Sequence, residues 1–212
     1  MLEHWPEYTR FLTALLVILD PFAAIPIFLS LTQNYSSAER NRSVNLAAVT
    51  VAIVLCLSAM FGETMLTVLG TSLPSFRVGG GIVLLLMALT MLRAQPEQMR
   101  TTYAETAEAE NRENVAIVPI AIPLLAGPGS ISTVIIQMHR PGHEYHLLWV
   151  IAIILFVSLL LWVVLRLAIP IGRVLGPLGL NILNRLFGLI LTAIAVEIMA
   201  NGLRGLFPAL SG

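Results

Sequence analysis

The chain has 212 residues, of which 57% are hydrophobic and 11% charged, and its mean hydropathy is +0.87. Soluble domains carry roughly a quarter charged residues, so these proportions exclude a soluble globular domain and imply an integral membrane protein. Twelve arginines balance twelve acidic residues, lysine is absent and there is no basic tail or stripe, which excludes nucleic acid as a partner.

The N-terminal MLEHWPEYTR is acidic and lacks a small-residue cleavage site, so no signal peptide is expected. A membrane span needs roughly 20 apolar residues, and six segments qualify in chain order. Residues 11–33 form the first, broken by Asp20, Pro21 and Pro26. Residues 43–62 form the second, free of charge and expected to run on to about Leu69. It holds the single cysteine, Cys56, which has no partner for an internal disulfide and reads as a small buried hydrophobe. Residues 78–92 form the third, between Arg77 and Arg93. The fourth, 115–138, is punctuated by Pro119, Pro123 and Gly127-Pro128-Gly129. The fifth, 147–165, is ended by Arg166 and Pro170. The sixth, 186–203, follows Arg185 and is interrupted by Glu197.

Between the third and fourth spans lies a polar stretch, 94–114, with five glutamates and no apolar period. It reads as a solvated acidic linker. It divides one compact membrane domain into a first three-helix repeat, 1–93, and a second, 115–212. An N-out topology puts eight arginines on the cytoplasmic side against four on the other, so both termini are expected on the non-cytoplasmic side. Trp5, Tyr8, Trp149 and Trp162 are candidate interface anchors.

The halves resemble each other at matching offsets. Arg77 and Gly80 correspond to Arg185 and Gly188, each pair 108 positions apart. Pairing 21-PFAAIP-26 with 123-PLLAGP-128 gives an offset of 102, and pairing Asp20-Pro21 with Gly127-Pro128 gives 107. The second register also superposes the apolar runs that follow and is preferred. Three crossings per half reverse the orientation of the second half, so the repeats are expected to be inverted. Breaks at corresponding positions of inverted halves point to a transporter binding site near the bilayer midplane.

The breaks have a chemistry. Asp before Pro is a helix-start signal, because Asp caps free N–H groups and Pro at the first helical position loses nothing. Gly127-Pro128-Gly129-Ser130 reads likewise as a restart. Each restart leaves N–H donors and a positive dipole end suited to an anion, and unwound carbonyls before it suited to a cation. An amino acid complements both. For Asp20 two roles stay open: a cap alone, or a cap that also takes a coupling proton, Na⁺ or a substrate ammonium. The hydroxyls of Ser130, Ser132 and Thr133 are either ligands or bonded back to their own helix. Arg77 and Arg185 are read as starting their helices, the unfavourable end for a cation. Glu197, about 18 Å further along the helix than Arg185, and Glu63 are candidate intramembrane charges. His139, His143 and His146 lie in a Pro/Gly-broken loop without cysteine and do not make a metal site. The glycines 79–81 read as packing residues, because no P-loop lysine exists.

The motifs 20-DPFAAIPIFL-29, 37-SAERNR-42, 77-RVGGGI-82, 118-VPIAIPLLAGPGSIS-132 and 184-NRLFGLIL-191 together resemble the MarC/SnatA-type inner-membrane proteins over nearly the whole chain. The resemblance implies an all-α fold of six transmembrane helices with discontinuous first and fourth helices. It also implies transport of small neutral amino acids such as glycine or alanine in a bacterial inner membrane. The substrate would lie at Asp20, Pro21, Phe22, Ala23, Ala24 and Pro26 of the first break. In the fourth helix it would meet Pro123 and the run Ala126, Gly127, Pro128, Gly129, Ser130, with Ser132 and Thr133 beyond. The expected function is thus a secondary transporter coupled to H⁺ or Na⁺. It would have no other cofactor, the bilayer as its surroundings, and homo-oligomerisation left open. An uncoupled exporter or channel for small polar metabolites is the alternative. An enzyme is not expected, since no nucleophile–base set or metal cluster stands out.

Overall fold

The computed structural model describes residues 5–33, 35–68, 70–93, 126–140 and 145–207. Every regular element among them is helical: α1 (Trp5–Leu19), α2 (Pro21–Leu31), α3 (Ser37–Val68), α4 (Leu73–Leu92), α5 (Pro128–Met138), α6 (His146–Arg166) and α7 (Ala168–Leu206). Five stretches are long and apolar enough to cross a membrane: Pro6–Pro26, α3, α4, α6 and α7. Gly129–Met138 is a shorter apolar helix. The acidic stretch 94–114 lies outside the described residues, as do Pro119, Pro123 and His143.

Local chemistry sets the helix ends. Ser36 and Glu39 form a capping box at the start of α3: Glu39 N–H donates to Ser36 Oγ at 3.3 Å, and Ser36 N–H to Glu39 Oε2 at 2.7 Å. One residue on, Arg40 Nη2 donates to the Thr32 carbonyl at 2.8 Å, tying α3 to the end of α2. Gly70, at φ 64, turns the chain between α3 and α4, where Ser72 Oγ accepts from Ser75 N–H at 3.2 Å.

Two expectations are corrected here. Arg185 does not start a helix. Gly176, at φ 60, breaks α7, and Pro177 follows it. Proline needs no N–H partner at a first helical position and glycine bears the left-handed conformation without a Cβ clash, so the restart falls there. Arg185 is consequently an exposed mid-helix residue, and 186–203 is the inner part of a longer helix. Arg77 likewise sits inside α4, which starts at Leu73 behind the Ser72 cap.

Burial divides the helices into inner and lipid-facing sides. Leu15, Leu19, Ile25, Phe28, Leu55, Ile154 and Leu161 belong to one core cluster, and Val17, Ile18, Leu84, Ala88, Leu191 and Ala195 to a second. Leu57, Phe61, Leu86, Leu155, Leu159 and Leu189 point outward, where a bilayer accepts them as readily as a core does. Between α3 and α6, Trp162 Nε1 donates to Asn45 Oδ1 at 2.7 Å.

Among the described residues, the broadest helix–helix interface joins α4 to α7, and glycine makes it possible. A Cβ on Gly202 would lie 2.8 Å from the Pro74 carbonyl oxygen. One on Gly81 would lie 3.1 Å from that of Ala195, and one on Gly188 3.1 Å from that of Ala88. The partners descend along α7 as they ascend along α4, so the two helices run antiparallel with backbones in near contact. Gly79 faces open space.

Candidate functional site

The first helix restart is governed by Pro21. Its ring removes the N–H that would bond the Val17 carbonyl and pushes the preceding residue out of the right-handed helical region. Asp20 takes φ 35, ψ 69, a left-handed conformation that aspartate tolerates better than most residues. Its own N–H still donates to the Leu16 carbonyl at 3.1 Å, so helical geometry lapses at this single residue. Oδ1 accepts from Ala23 N–H at 3.2 Å, capping α2. Oδ2 is buried and has no hydrogen-bond partner. Asp20 therefore caps with one oxygen and offers the other unengaged.

Around it, Ala24 is buried and Phe22 is half-buried, its ring 6.0 Å from that of Phe187 on α7. Pro26 lies one turn further on, inside α2 and beside an apolar groove that it shares with Gly172 and Arg173.

The second restart carries no side-chain cap. Gly127 is extended at φ −72, ψ 177, and Pro128 begins α5. Ser130 Oγ donates to the Gly127 carbonyl and Thr133 Oγ1 to the Gly129 carbonyl, both at 2.9 Å. These hydroxyls bond back to their own helix. Ser132 is buried against α4, where a Cβ on Gly80 would lie 2.9 Å from its Oγ. Gly129 makes room for Leu84 in the same way. Leu19 and Ala24 beside the first restart and Ala126 beside the second share one core cluster, and α1 packs on α5.

The candidate charges are dispersed. Glu63 is exposed near the end of α3 and Arg185 is exposed on α7. Arg77 is half-buried within electrostatic reach of Arg140. Glu197 lines a cavity of about 480 Å³ between the first half of α1, the second half of α5 and the last part of α7. Glu7, Arg10 and Arg140 also line it, with Thr133, Gln137 and Asn201.

Gln137 was not among the sequence-derived candidates. It is 4% exposed, and its Nε2 is buried without a partner. A lone glutamine amid isoleucines was the available signal. Beside it, His146 Nε2 meets the Gln137 carbonyl at 3.0 Å and Nδ1 meets Tyr8 OH at 2.8 Å, bracing α1, α5 and α6 together. No group of three His, Cys, Asp or Glu that could hold a metal occurs among the described residues.

Apolar helices with an outward apolar surface and a cavity lined by polar side chains define an integral membrane protein of the polytopic helical class. Within that class, the chain belongs to the MarC family of integral membrane proteins, whose model matches residues 5–207. Escherichia coli (strain K12) has a relative, UPF0056 membrane protein YhcE, 36% identical over 211 residues, covering 97% of this chain and 96% of its own. The UPF0056 membrane protein MJ1677 of Methanocaldococcus jannaschii is 39% identical over 191 residues, covering 89% and 91%. A UPF0056 membrane protein of Aquifex aeolicus is 33% identical over 211 residues, covering 97% and 99%. No solved structure matches the chain.

Proposed function

We propose that this protein is a secondary transporter for small neutral amino acids, of the size of glycine or alanine, built from two inverted three-helix repeats. The carrying observation is an exchange of contacts between the halves at a fixed offset. Gly81 approaches the Ala195 carbonyl, and Gly188 approaches the Ala88 carbonyl. Adding 107 to one residue of the first pair and subtracting it from the other generates the second pair. The fully buried Leu84 and Leu191 are also 107 apart, midway along this crossing. Because α4 and α7 are antiparallel, the two-fold axis that exchanges them lies across the helices, in the membrane plane.

The same offset carries α2, 11 residues from Pro21, onto α5, 11 residues from Pro128. Corresponding helix restarts in inverted halves are the arrangement in which transporters hold a substrate near the midplane. The positive dipole ends at the start of α2 and α5 suit a substrate carboxylate. The unengaged Oδ2 of Asp20 suits an ammonium, a proton or Na⁺, which makes Asp20 the coupling candidate. The protein would work by alternating access in the bacterial inner membrane, with both termini on the non-cytoplasmic side.

Counterflow of radiolabelled glycine in proteoliposomes, competed by a panel of amino acids and repeated under Na⁺ and pH gradients, tests this reading. Saturable exchange competed by alanine is expected. Non-saturating flux would favour a channel instead, and absence of amino-acid counterflow would refute the proposal.

A further inference from the structure

The cavity between α1, α5 and α7 is separate from the restart at Asp20, and charged side chains of both signs line it. Two carboxylates, Glu7 and Glu197, and two guanidiniums, Arg10 and Arg140, share its wall. Their formal charges cancel, yet both signs are presented. A simple anion would meet the glutamates and a simple cation the arginines, whereas a zwitterion can satisfy both.

On the α5 wall stands Gln137, whose buried Nε2 lacks an acceptor. A buried donor without a partner is costly, and the amide is supplied with one when a carboxylate enters the cavity. Next to it on the wall is Thr133, whose hydroxyl donates to the Gly129 carbonyl at 2.9 Å. The cavity therefore reaches a residue hydrogen-bonded into the first turn of α5. Its volume of about 480 Å³ falls in the range of small-molecule sites and leaves room for water beside a small amino acid.

We propose that this cavity is a second binding site for a zwitterionic amino acid, in series with the restart at Gly127 and loading it from the membrane face of the N-terminus. The carboxylate rests on Gln137 Nε2 and Arg140, and the ammonium on Glu197. Isoleucines 190, 194 and 198 of α7 form the apolar wall beside the substrate's side chain. The inference rests on the transport reading and adds to it a vestibular subsite that sets loading from one side.

The test uses equilibrium dialysis of the detergent-purified full chain against radiolabelled glycine at millimolar concentrations, beside sided counterflow in oriented proteoliposomes. The wild type is expected to bind two glycines per chain. Gln137→Met and Glu197→Gln are each expected to bind one. Their KM should rise about tenfold on the N-terminal face alone. A purely structural role for Gln137 would not produce a sided KM change. Glu197 is exposed on the cavity wall, so Glu197→Gln keeps the question answerable if Gln137→Met fails to fold. Normal counterflow with one glycine bound in the wild type and in both variants would overturn the vestibular site and leave the transport reading standing. Neither binding nor counterflow in the wild type would overturn both.

Discussion

Asp20 combines three separable features: a left-handed backbone, a cap on α2 and an unengaged carboxylate oxygen. Three substitutions take them apart. Asp20→Asn keeps the cap and tolerates the left-handed region, so its stability is expected within about 0.5 kcal/mol of wild type. Asp20→Gly loses the side-chain cap but relaxes the backbone at φ 35, and it should cost only a few tenths of a kcal/mol. Asp20→Ala loses the cap, about 1 kcal/mol, and puts an ordinary residue in the left-handed region, about 1–2 kcal/mol more. Its loss of roughly 2–3 kcal/mol corresponds to a Tm lowered by about 4–12 °C for a chain of this size. Thermal unfolding in detergent gives the ranking Asn, Gly, then Ala. Counterflow under pH and Na⁺ gradients then reads function separately. Asp20→Asn and Asp20→Gly should both lose gradient dependence while staying folded. If Asp20→Asn destabilises as much as Asp20→Ala, the capping account of this residue is wrong. If Asp20→Asn retains full gradient dependence, the carboxylate has no coupling role.

Four further substitutions probe packing and hydrogen bonding. Gly79→Ala gains up to about 1 kcal/mol of helix propensity because its Cβ meets nothing. Gly81→Ala adds the same propensity but presses on the Ala195 carbonyl, an overpacking cost of about 1–3 kcal/mol; its Tm should fall below that of Gly79→Ala, and equal melting temperatures would contradict the α4–α7 geometry. Arg40→Ala removes the bonds at 2.8 and 3.3 Å to Thr32, so a loss of about 1–2 kcal/mol in thermal unfolding is expected. Tyr8→Phe breaks the 2.8 Å contact with His146 and should cost about 1 kcal/mol, with faster amide hydrogen exchange at the start of α1.

Much of this protein is decided by local chemistry and is legible in the sequence. Apolar length fixes the membrane class, because unpaired backbone is too costly in lipid for anything but helices or closed barrels. The motifs that resemble MarC-type proteins are matched by membership of that family over residues 5–207. Pro21 and Pro128 begin α2 and α5 where proline chemistry requires a first helical position. The same rule applied to Pro177 would have moved the last restart away from Arg185, but an arginine at the edge of an apolar run gave the stronger compositional signal.

What the sequence could not decide depends on groups far apart in the chain. Gly79, Gly80 and Gly81 look alike in sequence, yet Gly79 faces open space, Gly80 abuts Ser132 and Gly81 abuts Ala195. That Gly81 and Gly188 pack on carbonyls of the opposite half depends on contacts that no single segment records. That the Ser130 and Thr133 hydroxyls donate to the Gly127 and Gly129 carbonyls is likewise seen only in the structure. The cavity is the clearest case. Arg10, Gln137 and Glu197 come from three separate helices, and nothing in any one segment marks them as sharing a space. Hydropathy and proline act through the backbone of their own segment, so sequence alone determined the membrane class and the proline starts of α2 and α5. Packing sums over distant side chains, so only the tertiary structure decided which glycines let helices touch and which polar residues share a cavity.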